Sequence, residues 1–300
     1  MRLVGGALDL TATDLSNFLG CRHRTALDMG VAHGAFKRPY WDDPLLKILI
    51  QRGLDHEKAY VAQLQAGGRT VTDLGALREP ASAESATLDA MRSGKDVIVQ
   101  AGLRDGHWYG RADILERVAA PSSLGAWSYE IVDTKLSRET RAGTILQLGL
   151  YSEMLERAQG RRPERFHVVT PDPVEPRHSY RTAHYAAYFR CVRDRMQEIV
   201  LQHHDLVAAA HYPEPVEHCD ICPWHSGCNQ RWHGDDHLSI VAGITRIQRH
   251  ELVGREVTTL AGLAGISVPL AFKPKRGSAE TYVRVREQAR LRKIQRAGRL

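Results

Sequence analysis

The sequence lacks any long apolar run. Nowhere in its 300 residues do about 18 apolar residues follow one another, and the opening MRLVGGALDL holds no apolar stretch long enough for a signal peptide. At 43% hydrophobic and 25% charged residues, the chain also lacks the composition of a disordered protein. We therefore expect a soluble, cytoplasmic, globular protein without a membrane partner, whose thiols stay reduced.

Cysteine is scarce and odd in number, with five residues in the chain. A disulfide framework is not expected from such a count in a reducing compartment. Cys219, Cys222 and Cys228 form a C-x2-C-x5-C run, whereas Cys21 lies far upstream in the predicted first helix. Thiolates at this density commonly hold metal, as zinc or as an iron–sulfur cluster. Cys191 stands alone in a predicted long helix and is interpreted as inert.

Two metals remain open for these cysteines. Structural zinc sites usually combine two close ligand pairs, and a three-plus-one arrangement departs from that pattern. Spacing alone therefore counts against a standard zinc site. His218, His225 and His233 could join a zinc site and keep zinc as the alternative, and cysteines without any ligand are the remaining interpretation.

Positive charge is concentrated at the end of the chain. The net charge is +6, but residues 273–300 carry ten Lys or Arg against two Glu, which leaves the rest at −2. Net charge therefore indicates an interacting tail and says little about the main body. This tail could touch a phosphate backbone or be solvated and disordered.

Hydrophobic periodicity predicts an α/β (α+β) fold with helices on a small mixed sheet. The predicted elements are a helix capped by Thr13-Asp14 and running to about Asp28, a helix from Asp43-Pro44 to Gly67-Gly68, strands at 96–101, 107–118, 127–136 and 165–170, and helices at 139–158 and 182–210. A change of character after His237 predicts three parts: a main domain at 1–237, a helical hairpin connector at 238–268 and a basic tail at 269–300.

Two neighbouring strands carry the strongest chemical signal. Residues 107–118 and 127–136 form a predicted antiparallel hairpin, and a symmetric pairing places Asp113 opposite Asp133, with Cβ atoms about 5 Å apart. Lys135 projects from the same face as Asp133. Two carboxylates and a lysine so arranged can bind Mg²⁺ or Mn²⁺, which lowers the pKa of a bound water. The alternative is that both acids are solvated surface carboxylates.

These motifs resemble a known family. GRADILE followed by EIVDTK is similar to motifs II and III of the RecB-like nucleases of the PD-(D/E)XK superfamily. The resemblance implies a restriction-endonuclease-like core, metal ligands at Asp113 and Asp133, and a catalytic lysine at Lys135. The third motif is the D-x-K variant instead of E-x-K, which the superfamily tolerates.

Further residues follow from the same resemblance. Gln147 and Tyr151 share a helix face and resemble the family's Q-x-x-x-Y motif, which implies catalytic or DNA-backbone contacts; alone, the pair would be a polar helix edge. His56, in a G-x-x-H element, is implied as a metal ligand, although a single helical His is usually structural. Glu57 is a weaker candidate, as a solvated or supporting acid.

The cysteines resemble the iron-staple branch of the family, found in AddB-type subunits and CRISPR-adaptation nucleases. There, one cysteine precedes the nuclease motifs and three follow them, which implies a 4Fe–4S cluster on Cys21, Cys219, Cys222 and Cys228. Arg22 departs from the proline that is common after the first cysteine.

The whole chain resembles the N-terminal region of RecB-like nucleases whose longer members carry a helicase. No G-x4-G-K-[ST] loop occurs here, so ATP-driven unwinding is not expected in this polypeptide. We expect a metal-dependent nuclease that hydrolyses single-stranded DNA or DNA ends in repair or recombination, as an exonuclease or endonuclease. The alternatives are a non-catalytic nucleic-acid-binding module and a scaffold that meets a helicase through residues 238–300.

Overall fold

The computed structural model describes residues 1–40, 42–202 and 212–298. The chain divides into two compact units, Met1–His211 and Tyr212–Leu300. The first contains a mixed β-sheet with helices, and the second is helical in its described part. No described helix is both long enough and apolar enough to span a bilayer.

The sheet in Met1–His211 has six strands among the described residues, in the order β3-β4-β5-β6-β7-β8. The strands are β1 (Arg2–Val4), β2 (Ala7–Asp9), β3 (Val71–Asp73), β4 (Val97–Asp105), β5 (Trp108–Val118), β6 (Ser128–Thr134), β7 (Arg165–Val169) and β8 (Arg177–Arg181). Strands β1 and β2 form a separate hairpin. In the six-stranded sheet, β3–β4 and β6–β7 are parallel and the other neighbours antiparallel.

Helices cover both faces of this sheet. The described helices of the unit are α1 (Ala12–Gly20), α2 (Arg22–Ala32), α3 (Pro44–Ala66), α4 (Pro80–Arg92), α5 (Ala142–Gln159) and α6 (Thr182–Gln202). Helix α5 packs on β4 and β6 with α1 and α6 beside it, and α4 packs on β4. Helix α3 covers the opposite face through Tyr60, Val61 and Leu64. The predicted α/β (α+β) class is confirmed.

Local signals explain several helix ends. Asp43 accepts hydrogen bonds from the first turn of α3 and Pro44 is its first residue, as predicted. The helix ends at Gly67, also as predicted. Residues 203–210 of the predicted helix 182–210 lie outside the described residues.

The first predicted helix is wrong in detail. Thr11, not Thr13-Asp14, caps α1 through a capping box with Asp14. The chain then breaks at Cys21, whose φ of −161° and ψ of 110° are extended, and α2 starts at the next residue. Cys21 therefore lies between two helices and not inside one.

The β5–β6 register agrees with the prediction. The paired residues are Ile114 with Val132, Leu115 with Ile131 and Glu116 with Glu130, and the next step along both strands brings Asp113 to the level of Asp133. Packing on both faces of the hairpin holds this register, because a slip of one residue would exchange the side chains of the two faces.

In both β4 and β5, the regular alternation of side chains between the two faces of the sheet is interrupted at one level. Ile98 packs in the core under α5, Val99 packs under α3, and then Ala101 again packs under α5. The residue between, Gln100, has φ of +55°, a left-handed conformation that is rare for a non-glycine residue. Gln100 lies opposite Asp113 between the Val99–Ile114 and Ala101–Ala112 pairs, so the left-handed backbone is next to the predicted site.

The unit Tyr212–Leu300 corrects the predicted boundary near 237. Its described elements are two 3-10 helices, Glu217–Ile221 and Leu238–Ile240, and α7 (His225–Gly234), α8 (Arg246–Val253), α9 (Leu260–Ala264) and α10 (Ala279–Arg296). Trp232 shares a core with Leu238, so the boundary lies before residue 212. The predicted helical segment 238–268 is seen as α8 and α9.

The predicted basic tail is also corrected. Within 269–300, residues Ala279–Arg296 form helix α10. Tyr282, Val285 and Ala289 recur at helical spacing and are buried in the core of this unit. The positive charges of the helix lie off these buried positions. Because the helix buries an apolar stripe, this segment packs as part of the unit.

A glycine sets the contact between α5 and α6. A Cβ on Gly149 would lie 2.9 Å from Cγ of the buried Phe189, whereas a Cβ on Gly53 in α3 would meet nothing within 4 Å. Both Gly→Ala changes improve helix propensity by about 0.5–1 kcal/mol. Only Gly149→Ala overpacks the core, which costs about 1–3 kcal/mol.

We expect Gly53→Ala to raise the free energy of unfolding of the protein. The free energy of unfolding of Gly149→Ala should be lower than that of Gly53→Ala by about 1–3 kcal/mol. Urea denaturation with a shared m-value measures this difference. Equal stabilities of the two variants would contradict the close α5–α6 packing.

Candidate active site

Asp113 lies where β5 and β6 separate. Beyond the Ile114–Val132 pair, Oδ2 of Asp113 accepts a hydrogen bond from the backbone N–H of Thr134 at 3.3 Å. The carboxylate of Asp113 thus accepts an N–H group of β6 that a backbone carbonyl of a paired strand would otherwise accept. This position brings its carboxylate next to that of Asp133, and the charge of Asp113 helps to raise the pKa of Asp133.

Asp133 is the most enclosed acid of the group, with 1% of the residue exposed. Nζ of Lys135 lies 2.9 Å from Oδ1 and 2.7 Å from Oδ2, and Nε2 of Gln147 donates to Oδ1 at 3.1 Å. The structure therefore brings together three residues that the sequence assigned to one site. Helix α5 supplies Gln147, because it packs directly on β6.

The electrostatics of Asp133 are unfavourable for a carboxylate. Burial raises its pKa, the ammonium of Lys135 lowers it, and the charge of Asp113 raises it again, with a net upward shift. Oδ2 of Asp133 is buried and accepts no hydrogen bond from the described residues, although Nζ of Lys135 lies close to it. A cation between the acids would remove this penalty.

Tyr151 completes the α5 side of the site. The residue is 6% exposed, and burial, together with the charges of Asp113 and Asp133, raises its pKa. Its ring packs on Gly110 of β5, where a Cβ would lie 2.5 Å from Cε1 of the tyrosine. The glycine of the GRAD motif therefore makes room for the tyrosine that borders the acids.

His56 lies on the opposite face of the sheet, on α3. Its Nε2 is 3.2 Å from the carbonyl oxygen of Val169 in β7, so the ring is held by the main chain in this structure. Nδ1 is the other nitrogen that the ring could offer to a metal. Its predicted role as a ligand stays a prediction.

Glu57 is more central than the sequence indicated. Burial raises its pKa, and the charges of Asp113 and Asp73 raise it further. Nε2 of Gln100 donates to its Oε1 at 2.8 Å. The charge of Asp113 therefore acts on both Glu57 and Asp133, and carboxylates are the ligands that a hard divalent cation prefers.

Sequence reasoning did not identify Gln100 or Arg111. The left-handed backbone at Gln100 turns its carbonyl out of the ladder, and Arg111 donates to it from Nη2 at 3.0 Å. The same guanidinium donates to the carbonyls of Leu77 at 2.5 Å and Leu74 at 2.7 Å. A polar residue interrupting the apolar run VIVQAGL was the available signal.

A cavity of about 590 Å³ adjoins Glu57. Its lining includes two acids, Glu57 and Asp73, three bases, Lys58, Arg78 and Arg111, and the amide of Gln100. Cavities of this size accept small ligands or parts of a larger one. A lining with both signs of charge is compatible with a phosphate group bound together with a metal cation.

The predicted cluster cysteines are half-buried, whereas Cys191 is exposed. Sγ of Cys21 accepts the N–H of Arg24 at the start of α2, and Sγ of Cys219 accepts the N–H of Val216, each at 3.4 Å. Cys21 belongs to Met1–His211, and the other three predicted ligands belong to Tyr212–Leu300.

Among residues 1–40, 42–202 and 212–298, no three His, Cys, Asp or Glu side chains converge as a ready-made metal site. No family model matches the chain, and no curated protein matches it. The solved structure of SSO0001 is similar at 15% identity, covering 75% of this chain and 87% of that chain, with a TM-score of 0.32. A similarity at this level carries no argument about function.

The raised pKa of Asp133 predicts how stability depends on pH in the presence of a chelator. An acid whose folded pKa exceeds its unfolded pKa stabilises the fold fully below the unfolded pKa, at about 4, and that stability is lost as pH rises through the folded pKa. We therefore expect Asp133→Asn to gain stability relative to the wild type as pH rises from about 4.

Asp96→Asn is a control of opposite sign. Hydrogen bonds from the side chain and backbone of Thr70 lower the pKa of Asp96 to about 2. The wild type should therefore exceed this variant in stability near neutral pH and lose the advantage as the medium becomes acidic. Chemical denaturation across pH measures both differences, and a pH-independent difference for Asp133→Asn would contradict the raised pKa.

Proposed function

We propose that this chain is a Mg²⁺- or Mn²⁺-dependent nuclease that hydrolyses phosphodiester bonds of single-stranded DNA or DNA ends, in repair or recombination. One observation carries the proposal: Asp113 and Asp133 converge where two strands part, with the amine of Lys135 and the amide of Gln147 on the second acid. The resemblance of GRADILE and EIVDTK to RecB-like motifs supports the same function.

The donor set suits a hard divalent ion. Asp113 and Asp133 would hold it, with Glu57 or His56 as a further ligand, because carboxylate oxygens are preferred by Mg²⁺ and imidazole is acceptable to Mn²⁺. Such an ion, when bound, lowers the pKa of a coordinated water and neutralises charge on a phosphate.

The protein side chains have separate tasks in this proposal. Lys135 is about one-third exposed and can donate its Nζ protons to an attacking water or to a phosphate oxygen. Gln147 fixes the orientation of the Asp133 carboxylate by donating to Oδ1. Tyr151, buried beside both acids, excludes water from the α5 side.

Substitution of the acids should remove cleavage. We expect Asp113→Asn and Asp133→Asn each to lower kcat/KM on labelled single-stranded DNA with Mn²⁺ by about 10³-fold or more, since the loss of a metal ligand removes several kcal/mol of transition-state stabilisation. Lys135→Met should cost about 10²- to 10³-fold.

Asp172→Asn is the matched control, because Asp172 is a loop acid outside the site whose carboxylate accepts the backbone N–H groups of Val174 and Glu175. It should cleave like the wild type. Retained cleavage in Asp113→Asn would place the chemistry elsewhere. Tight binding of DNA by the wild type without cleavage would favour a non-catalytic binding module.

We further propose that Cys21, Cys219, Cys222 and Cys228 hold a 4Fe–4S cluster, with Zn²⁺ as the alternative. The donor chemistry supports this proposal, because these four thiols are half-buried and two of them accept backbone N–H groups. Four thiolates are the usual ligand set of such a cluster. Its role would be structural, since it would tie two distant segments of the chain together.

We expect brown protein after purification without oxygen, with visible absorbance that Cys222→Ser removes, because loss of one thiolate ligand destabilises the cluster. Cys191→Ser is the matched control and should keep the colour, since Cys191 is exposed on α6 and stands outside the four-cysteine set. Metal analysis accompanies the absorbance. Colourless protein with equimolar zinc would refute the iron–sulfur assignment and leave the nuclease proposal intact.

A further inference from the structure

An aromatic groove lies beside the N-terminal turn of α5, apart from the acids. Its volume is about 600 Å³, and its lining includes Arg138, Glu139, Ile145, Tyr180, Tyr185 and Tyr188. We call it the tyrosine groove. None of these residues belongs to the predicted site.

The rings of the groove are already in place. Tyr180 and Tyr185 rest on the buried Phe166, with ring centroids 5.7 and 5.9 Å away, and their own rings meet edge to face at 5.9 Å. The hydroxyl of Tyr180 donates to Oγ1 of Thr140 at 2.8 Å, which fixes the loop on the other side. A fixed aromatic wall binds a flat ring without a further loss of conformational entropy.

Tyr188 gives the groove its accessible ring. It lies three residues after Tyr185 on α6, so both rings share a helix face. Tyr188 is 41% exposed, so its ring is accessible to a ligand. An exposed aromatic face of this kind can stack on any nucleobase.

Charge around the groove favours a polyanion. Arg138 lines it, and Arg141 is exposed next to it at the start of α5, whose first turn contains no acidic residue. Glu139 is the opposing charge and is exposed to solvent. Stacked bases with adjacent phosphates match rings flanked by arginines, whereas an apolar peptide would have no use for the cations.

The groove adjoins the proposed catalytic residues along the chain. Arg138 follows Lys135 by three residues, and Ile145 in the groove precedes Gln147, which donates to Asp133. The groove and the acids are therefore both lined by residues of the first two turns of α5.

We propose that the tyrosine groove binds an unpaired nucleobase of single-stranded nucleic acid by stacking on Tyr188 and Tyr185, with neighbouring phosphates against Arg138 and Arg141. This inference rests on the proposed nuclease function and specifies its substrate as a single strand. A duplex cannot supply the base, because its bases are already stacked and paired.

The test measures binding by fluorescence anisotropy in chelator, so that it is independent of cleavage. The probes are fluorescein-labelled oligo(dT), an abasic strand of equal length and a blunt duplex. We expect Tyr188→Ala to raise the Kd for oligo(dT) by about 5- to 150-fold, the effect of one lost stack. Arg138→Gln removes one phosphate contact and should therefore reduce the slope of log Kd against log salt concentration by about 0.7.

Two controls separate stacking from folding. Tyr188→Phe keeps the ring and should bind oligo(dT) like the wild type. Tyr40→Ala removes a ring that is 91% exposed and lies outside the groove, and it should also leave the Kd unchanged. Tyr188→Ala should not alter binding of the abasic strand, which has no base to stack.

The outcomes distinguish the two proposals. An unchanged Kd for oligo(dT) in Tyr188→Ala, or an equal loss on the abasic strand, would overturn the groove even if the wild type cleaves DNA. Binding that depends on Tyr188 without cleavage in Mn²⁺ would keep the groove and refute the nuclease. A wild type that binds oligo(dT) no better than the duplex would also overturn the groove.

Discussion

The close approach of two like charges, on Asp113 and Asp133, is the constraint to which the surrounding structure responds. Burial, and then repulsion by Asp113, disfavour ionisation of Asp133 and raise its pKa. Lys135 and Gln147 donate to this acid, and the N–H of Thr134 donates to the other. Strand packing on both faces keeps the acids together although they destabilise each other, and such an arrangement is typical of functional sites.

Strong local patterns made much of the fold predictable. The two strands and their symmetric pairing about the connecting turn were predictable from sequence, and with them the meeting of Asp113 and Asp133. The helix from Asp43 to Gly67 was predictable for a different reason, since its cap and its stop are chemical signals within a few residues.

Other features depend on contacts that sequence does not display. Helix α4 packs on β4 through Ala83 and Thr87, small residues that leave no strong apolar period. The left-handed backbone at Gln100 is held by Arg111 from a neighbouring strand, and a glutamine gives no sign of it. Glu57 lies near Asp113 because α3 packs on this face of the sheet, a contact that the sequence does not display.

The simultaneous change of face in β4 and β5 also constrains how the sheet can assemble. Sliding β4 by one residue would carry Val97 and Val99 to the wrong apolar layer and would bring the bend at Gln100 against a regular stretch of β5. Both halves of the strand would lose their burial together. Because of the bend at Gln100, only one register of β4 with β5 buries the apolar residues of both strands.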